Sequence, residues 1–338
     1  MKNLNTLTFV RSLSLVNLAL VHSVCATTED TFAASQHINP ITYKIKKKSE
    51  YIKIKFKVNK KLENDKLHQD SLILTKQYVQ QAFNEAEEQF GKEVPVRVKV
   101  KNKEHKNGKK KKGPLDINSV ASEAFSDLPT LHGVWFGSIP ILSTHAIVNC
   151  PHLENLEIGG ANVCIQANMT LRCPKLKTVK IGGTGIRLSE DAFKETSVQD
   201  VLLGGSGILV GTGSFADCSQ LTNVNIGGTG ISVAPKAFMN SAVENLEIGG
   251  TDITIGEYAF ENSSVRALEM GGVDITVGTC AFLNCKSLTT AVVSGVGLQI
   301  DPTAFTGCDS LTNASNLTQK PMGGVLSKES KKNRVLEF

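Results

Sequence analysis

Apolar and polar positions over the C-terminal two thirds of the chain repeat every 22 or 23 residues. In the unit around Asn223, Leu221, Val224 and Ile226 spell L-x-x-V-x-I, an alternation that predicts a short strand with these side chains on one face. Gly227-Gly228 then turns the chain, and Ile231 and Val233 predict a second short strand beyond the bend. A helical or irregular crossing follows, marked by a recurrent Phe at 125, 193, 215, 238, 260, 282 and 305. The glycine doublets begin at Gly159, Gly182, Gly204, Gly227, Gly249 and Gly271, spaced 23, 22, 23, 22 and 22 residues apart, and Gly137-Ser138 and Ser294-Gly295 extend the series. A fixed period of this length predicts a solenoid, in which each coil buries its apolar face only against its neighbours. About nine coils at the strand spacing of ~4.8 Å would make a rod on the order of 43 Å long.

The two unit lengths have a local origin. Longer units read Phe-x-x-Cys-x-x-Leu (Phe215, Cys218, Leu221; Phe282, Cys285, Leu288; Phe305, Cys308, Leu311). Shorter ones replace Cys by Thr or Ser and drop one residue before the strand (Phe193, Thr196, Val198; Phe238, Ser241, Val243; Phe260, Ser263, Val265). The site therefore selects a small, weakly polar side chain inside the coil. The pattern A-F-x-x-C-x-x-L-x-x-V-x-I, repeated from Asp116 to about Leu317, resembles the BspA-like leucine-rich repeats of bacterial and protozoan surface proteins. It departs from them at the strand end, where Gly-Gly stands in place of the usual Pro. The resemblance implies an α/β-type leucine-rich repeat solenoid, a secreted or surface-displayed binding protein, often an adhesin, and no catalytic residues.

Ahead of the repeats a different pattern predicts a small Lys-rich α/β domain over residues 27–98. Tyr43 and Ile45, then Tyr51, Ile52, Ile54, Phe56 and Val58, alternate with Lys, as in the strands of a hairpin. Ser71 to Phe90 has helical spacing and ends at Gly91, and Val94, Val96, Val98 and Val100 predict another strand. The order is faintly similar to the opening of secreted zinc metalloproteases, yet the sequence contains no His-Glu-x-x-His and no His pair four residues apart, so no metal site is expected.

The N-terminus predicts a signal peptide over residues 1–26, with Lys2 and Arg11 before the apolar run Leu13 to Val24 and small residues preceding a cleavage point after Ala26. Residues 319–338 lose the periodicity and read as a loose tail. These features place the chain outside the cell or on its surface. An intracellular scaffold is the alternative if the leader is not cleaved.

Charge divides the chain. Residues 41–116 carry 21 Lys plus Arg against 10 Asp plus Glu, whereas residues 117–318 carry 9 against 18. The Lys-rich segment 99–115, with Lys109, Lys110, Lys111 and Lys112 in succession, reads as a solvated linker. Its sharper reading is contact with an anionic glycan or membrane surface. No aromatic interleaves these lysines, so no nucleic-acid partner is expected. Five of the eight cysteines (Cys150, Cys173, Cys218, Cys285, Cys308) share one repeat position and are expected as buried free thiols. The spacings supply no zinc motif, and no cofactor is expected.

Binding residues are expected among those that the first strand of each coil points outward: Trp135, Glu157, Lys180, Leu202, Asn225, Glu247, Glu269 and Val292. Trp135 belongs to the first coil, so capping of the stack competes with ligand contact there. Possible glycan acceptors are Asn168, Asn262, Asn313 and Asn316. Two function classes follow. One is a noncatalytic, adhesin-like module that recognises a protein or glycan through the solenoid strand face. The other is a remnant or regulator of a secreted hydrolase with the repeats as its recognition module, which the lack of a Ser-His-Asp set, metal spacing or phosphate loop disfavours.

Overall fold

A computed structural model describes residues 41–58, 72–102 and 116–315; the expected leader, the Lys109 to Lys112 run, Asn316 and the tail lie outside them. The repeats form a β-solenoid in which the expected first strands stack as one parallel ladder: Leu131–Gly137, Asn155–Gly159, Thr178–Thr184, Asp200–Ser206, Asn223–Thr229, Asn245–Ile255, Ala267–Val277, Thr290–Val296 and Asn313–Ser315. These nine strands bound eight complete turns. The second strands pair in parallel as well, and in Asn245–Ile255 and Ala267–Val277 both strands merge into one of 11 residues.

Inside, Leu221, Val224, Ile226, Ile231 and Val233 are all buried, as the alternation requires. The crossing side holds a column of rings: Phe193, Phe215, Phe238, Phe260, Phe282 and Phe305 stack nearly parallel, with successive centroids 5.3, 5.1, 4.8, 5.3 and 5.0 Å apart. Phe125 is not part of the column; it packs edge-on against Phe136 at 5.7 Å, and the crossings after it carry Ile147 and Met169 instead. No helix forms on these crossings, which run as turns or as the small parallel sheet of Phe125–Ser126, Ile147–Val148 and Thr170–Leu171.

The Cys/Ser/Thr position is explained by hydrogen bonding. Thr196, Ser241 and Ser263 donate to the carbonyls of Phe193, Phe238 and Phe260 in their own coil at 2.8, 2.6 and 2.7 Å. The thiols of Cys150, Cys218, Cys285 and Cys308 reach the Phe carbonyl of an earlier coil, at 3.3, 3.3, 3.2 and 3.2 Å. The longer unit thus ties one coil to another where the shorter closes on itself. Cys150, Cys173, Cys218, Cys280, Cys285 and Cys308 are free thiols. Burial raises the Cys218 thiol, and a hydrogen bond with Cys173, together with burial, raises that of Cys150, so neither is a nucleophile at neutral pH.

The glycine doublets align strand on strand, Gly182 with Gly204, Gly227, Gly249 and Gly271. At the second position the coils touch backbone to backbone: a Cβ on Gly228 would lie 2.3 Å from the Gly205 carbonyl oxygen, and its φ is +134°.

The Lys-rich segment caps this solenoid and continues its sheet. Strands β1 (Ile41–Lys47) and β2 (Ile52–Val58) pair antiparallel, as the expected hairpin does; β2 pairs in parallel with β4 (Val96–Lys101), which in turn pairs with Leu131–Gly137. The strand β3 (Leu72–Leu74) joins the second ladder through β5 (Ile117–Val120). Two expected boundaries shift. The helix α1 spans Lys76–Phe90 rather than starting at Ser71, because Leu72 and Leu74 are buried while Ile73 is 41% exposed, the alternation of a strand. Lys99 to Lys101 belong to β4 rather than to the linker, because Val96, Val98 and Val100 keep their alternation inward up to the next coil.

Val79, Ala82, Phe83 and Ala86 of α1 are buried in a core continuous with that of the repeats. Gly91, at φ +92°, ends the helix with its N–H donating to the Glu87 carbonyl. On the helix flank the Tyr43 hydroxyl donates to Glu85 Oε2 at 2.8 Å, and burial, this bond and the carboxylate's charge push its pKa up to about 12. A raised tyrosine pKa favours the folded state while the phenol is neutral. Its contribution is therefore complete below pH 10.0, the ordinary value, and is lost as pH rises toward about 12. An NMR titration of the Tyr43 ring should show this late ionisation, and Glu85→Gln should bring it down; an ordinary midpoint in both proteins would contradict the contact.

Candidate binding face of the solenoid

The first ladder fixes the outward side chains in rows. Parallel strands paired in register place equivalent residues directly beside one another, about 4.8 Å apart. Trp135 pairs with Glu157, Glu157 with Lys180, Lys180 with Leu202, Leu202 with Asn225, Asn225 with Glu247, Glu247 with Glu269 and Glu269 with Val292. All eight expected residues thus stand in a single row. Glu157, Glu247 and Glu269 are exposed, Val292 is 43% exposed, and Trp135, Lys180, Leu202 and Asn225 are half-buried.

Beside it runs a second row, Asn155, Thr178, Asp200, Asn223, Asn245, Ala267 and Thr290. Its polar groups are linked along the axis: Asn223 Nδ2 donates to Asp200 Oδ1 at 2.7 Å and Asn245 Nδ2 to Asn223 Oδ1 at 2.9 Å. In the first row the Asn225 amide donates to the Glu247 carboxylate. These bonds hold the surface in one geometry before any partner arrives. Glu247 and Glu269, however, face each other as like charges on adjacent strands, a pairing that costs stability. Folding alone gives no reason for that pair, whereas a cationic group on a partner would relieve it.

Trp135 lies on this outward face, while its neighbour Phe136 is buried in the core. Its ring sits over Gly137, where a Cβ would come within 2.1 Å of the indole, and Lys99 Nζ of β4 stands 3.8 Å from the ring centroid. Trp135 therefore joins cap to coil from outside. Lys99 thus extends the outward row beyond Trp135, and the Val-x-Val alternation around it is the sequence signal that marks its strand.

A second asparagine ladder runs along the crossings. Asn149 donates to Asp127 (2.9 Å), Asn240 to Asp217 (3.1 Å), Asn262 to Asn240 (3.3 Å) and Asn284 to Asn262 (3.2 Å). These residues have φ between 51° and 57°, a left-handed region that Asn and Asp tolerate best among residues with a side chain. The Asn262 amide, a possible glycan acceptor, is thus a rung of this ladder. Asn168 is exposed and Asn313 lies in the last described strand.

Among the described residues no group of three His, Cys, Asp or Glu side chains could hold a metal ion, and no helix is long and apolar enough to cross a membrane. The BspA type leucine rich repeat region matches the chain in six copies, over residues 104–222 and 186–312. The chain belongs to the BspA-type leucine-rich repeat family. This BspA-type chain is also similar to the crystal structure of a leucine rich cell surface protein from Faecalibacterium prausnitzii A2-165, with 14% identity over 85% of this chain and 95% of that one at a TM-score of 0.26. No curated protein matches it. Membership in the BspA-type family suggests a surface-binding role and a surface or extracellular location, and such solenoids are typically noncatalytic.

Proposed function

We propose that this is a secreted or surface-displayed, adhesin-like recognition protein whose first-ladder face binds a protein or glycan partner. The observation that supports this most is the in-register row from Trp135 to Val292, a flat surface of varied side chains on a backbone that does not vary. A solenoid can change those side chains coil by coil without disturbing its core, which is how a repeated scaffold acquires a specific partner. The like-charged pair Glu247 and Glu269 is the point on that row where a partner gains most.

Exchanging both residues, Glu247→Lys with Glu269→Lys, tests the reading cleanly. Like charges still face each other after the exchange and only the exposed Asn225 to Glu247 hydrogen bond is lost, so stability should fall by no more than about 1 kcal/mol, while the sign seen by a partner reverses. Binding to a partner found on a glycan array or a panel of matrix proteins should fall at least about 10-fold, mainly through faster dissociation. Unchanged binding to a demonstrated partner would remove this face as the site.

A further inference from the structure

We infer that the outward sheet face of the cap is a binding site for a linear sulfated polysaccharide. Pairing of β1, β2 and β4 sets six basic side chains in two rows of three. One row is Lys44, Lys55 and Lys99, and the other Lys46, Lys53 and Arg97. Neighbours in a row are about 4.8 Å apart and the rows are two residues, about 6.6 Å, from each other. Between them stand Ile54 and Val98, pointing inward and buried. Every cross-strand pair within these rows is a like-charge pair, an arrangement that costs stability. Among the described residues none of the six is ion-paired with a carboxylate. Fold formation does not account for such a face, but a dense line of anions laid across it would.

Two of the six are held in place in advance. Lys99 Nζ sits 3.8 Å from the centroid of Trp135, and the Arg97 guanidinium 4.5 Å from that of Tyr51. Cation–π contacts of this kind limit the freedom that long side chains would otherwise lose on binding. Crowding is also evident in Lys99 itself, whose pKa is lowered by burial and then by Lys101, Lys53 and Lys55, against a smaller opposing pull from Glu157. A sulfate among these ammonium groups removes that repulsion.

The extent of the face selects the ligand. Beyond β4 the first row meets Trp135 and then Glu157, and the second meets Gly133 and then Asn155. A broad anionic bilayer pressed on this sheet would also meet Glu157, Glu247 and Glu269, whereas a slim chain laid along the two rows lies against the six bases of β1, β2 and β4 before it reaches Trp135. Nucleic acid lacks a stacking platform, because the Trp135 and Tyr51 rings are already covered by Lys99 and Arg97. The site shares with the proposed function its extracellular setting and Trp135, whose ring orders Lys99; its six basic residues lie outside the solenoid row, so either reading can fail alone.

Isothermal titration of the full chain with heparin, desulfated heparin, oligodeoxythymidylate and anionic vesicles tests the assignment. Heparin should bind, desulfated heparin should not, and affinity should fall steeply as NaCl rises and screening shortens. Lys53→Glu with Lys55→Glu should weaken heparin at least about 10-fold, and neutralising Lys109 to Lys112 with Gln less than about 3-fold. Should the Lys53/Lys55 variant fail to fold by circular dichroism, Lys44→Glu with Lys46→Glu, at exposed positions of β1, gives the same readout. Wild-type heparin affinity in the folded face variant, full loss on neutralising Lys109 to Lys112, or equal affinity for oligodeoxythymidylate or vesicles would overturn the proposal.

Discussion

Phe238→Ala lowers the stability of the folded chain by about 3 to 5 kcal/mol, the usual cost of emptying a buried aromatic position. Phe238 is fully buried, and its ring lies between Phe215 at 5.1 Å and Phe260 at 4.8 Å. Its removal opens a void and ends two ring contacts at once. The column is where these crossings meet through stacked rings, so the coils on each side lose part of their coupling. In a nearest-neighbour array this broadens the unfolding transition as well as lowering its midpoint. Phe305→Ala, at the end of the column and only partly buried, should cost less. Urea denaturation of both variants checks the order, and an unaltered midpoint for Phe238→Ala would remove it from the core.

Gly228→Ala is the second large effect, and its neighbour supplies the control. A methyl group at Gly228 would stand 2.3 Å from the carbonyl oxygen and 2.8 Å from the nitrogen of Gly205, and φ there is +134°. Neither atom can move without displacing the adjacent coil, and the dihedral alone costs about 1 to 3 kcal/mol for a residue with a side chain. The total should therefore reach about 3 kcal/mol or more. At Gly227 the nearest atom to an added Cβ is the Gly249 carbonyl oxygen at 3.5 Å. Gly227→Ala should change stability by less than about 1 kcal/mol, in either direction. Equal melting points for the two alanine variants would show that the doublets do not hold the coils at backbone contact.

The repeat was legible in the sequence because its period is carried by residues with few substitutes. Gly228 sits where no side chain fits, and Phe238 belongs to a column of rings; the glycine recurs in most coils and the ring in six successive ones, Phe193 to Phe305, and together they announce the solenoid. The outward row from Trp135 to Val292 followed once the inward L-x-x-V-x-I was recognised, since strand residues alternate. The cap was less legible. Leu72 and Leu74 fit a helical stripe as well as a strand, and only the partner β5 decides between them. Likewise the alternation of Val94 to Val100 marks Lys99 as a strand residue, but only its pairing with Trp135 places it beside the solenoid row. Cross-strand neighbours such as Lys53 and Arg97, which β2 and β4 bring side by side, cannot be read from composition, which is why the basic face of β1, β2 and β4 emerged only with the fold.

The one-residue difference between Cys-bearing and Ser- or Thr-bearing coils falls on the crossing, before the ladder strand begins. Whichever version is used, the next strand enters at the same register and the visible row is unbroken. A coil of either kind is thus an interchangeable cassette: a gene that gains or loses one by unequal recombination changes the reach of the protein in steps of about 4.8 Å and leaves the remaining letters of its surface in order.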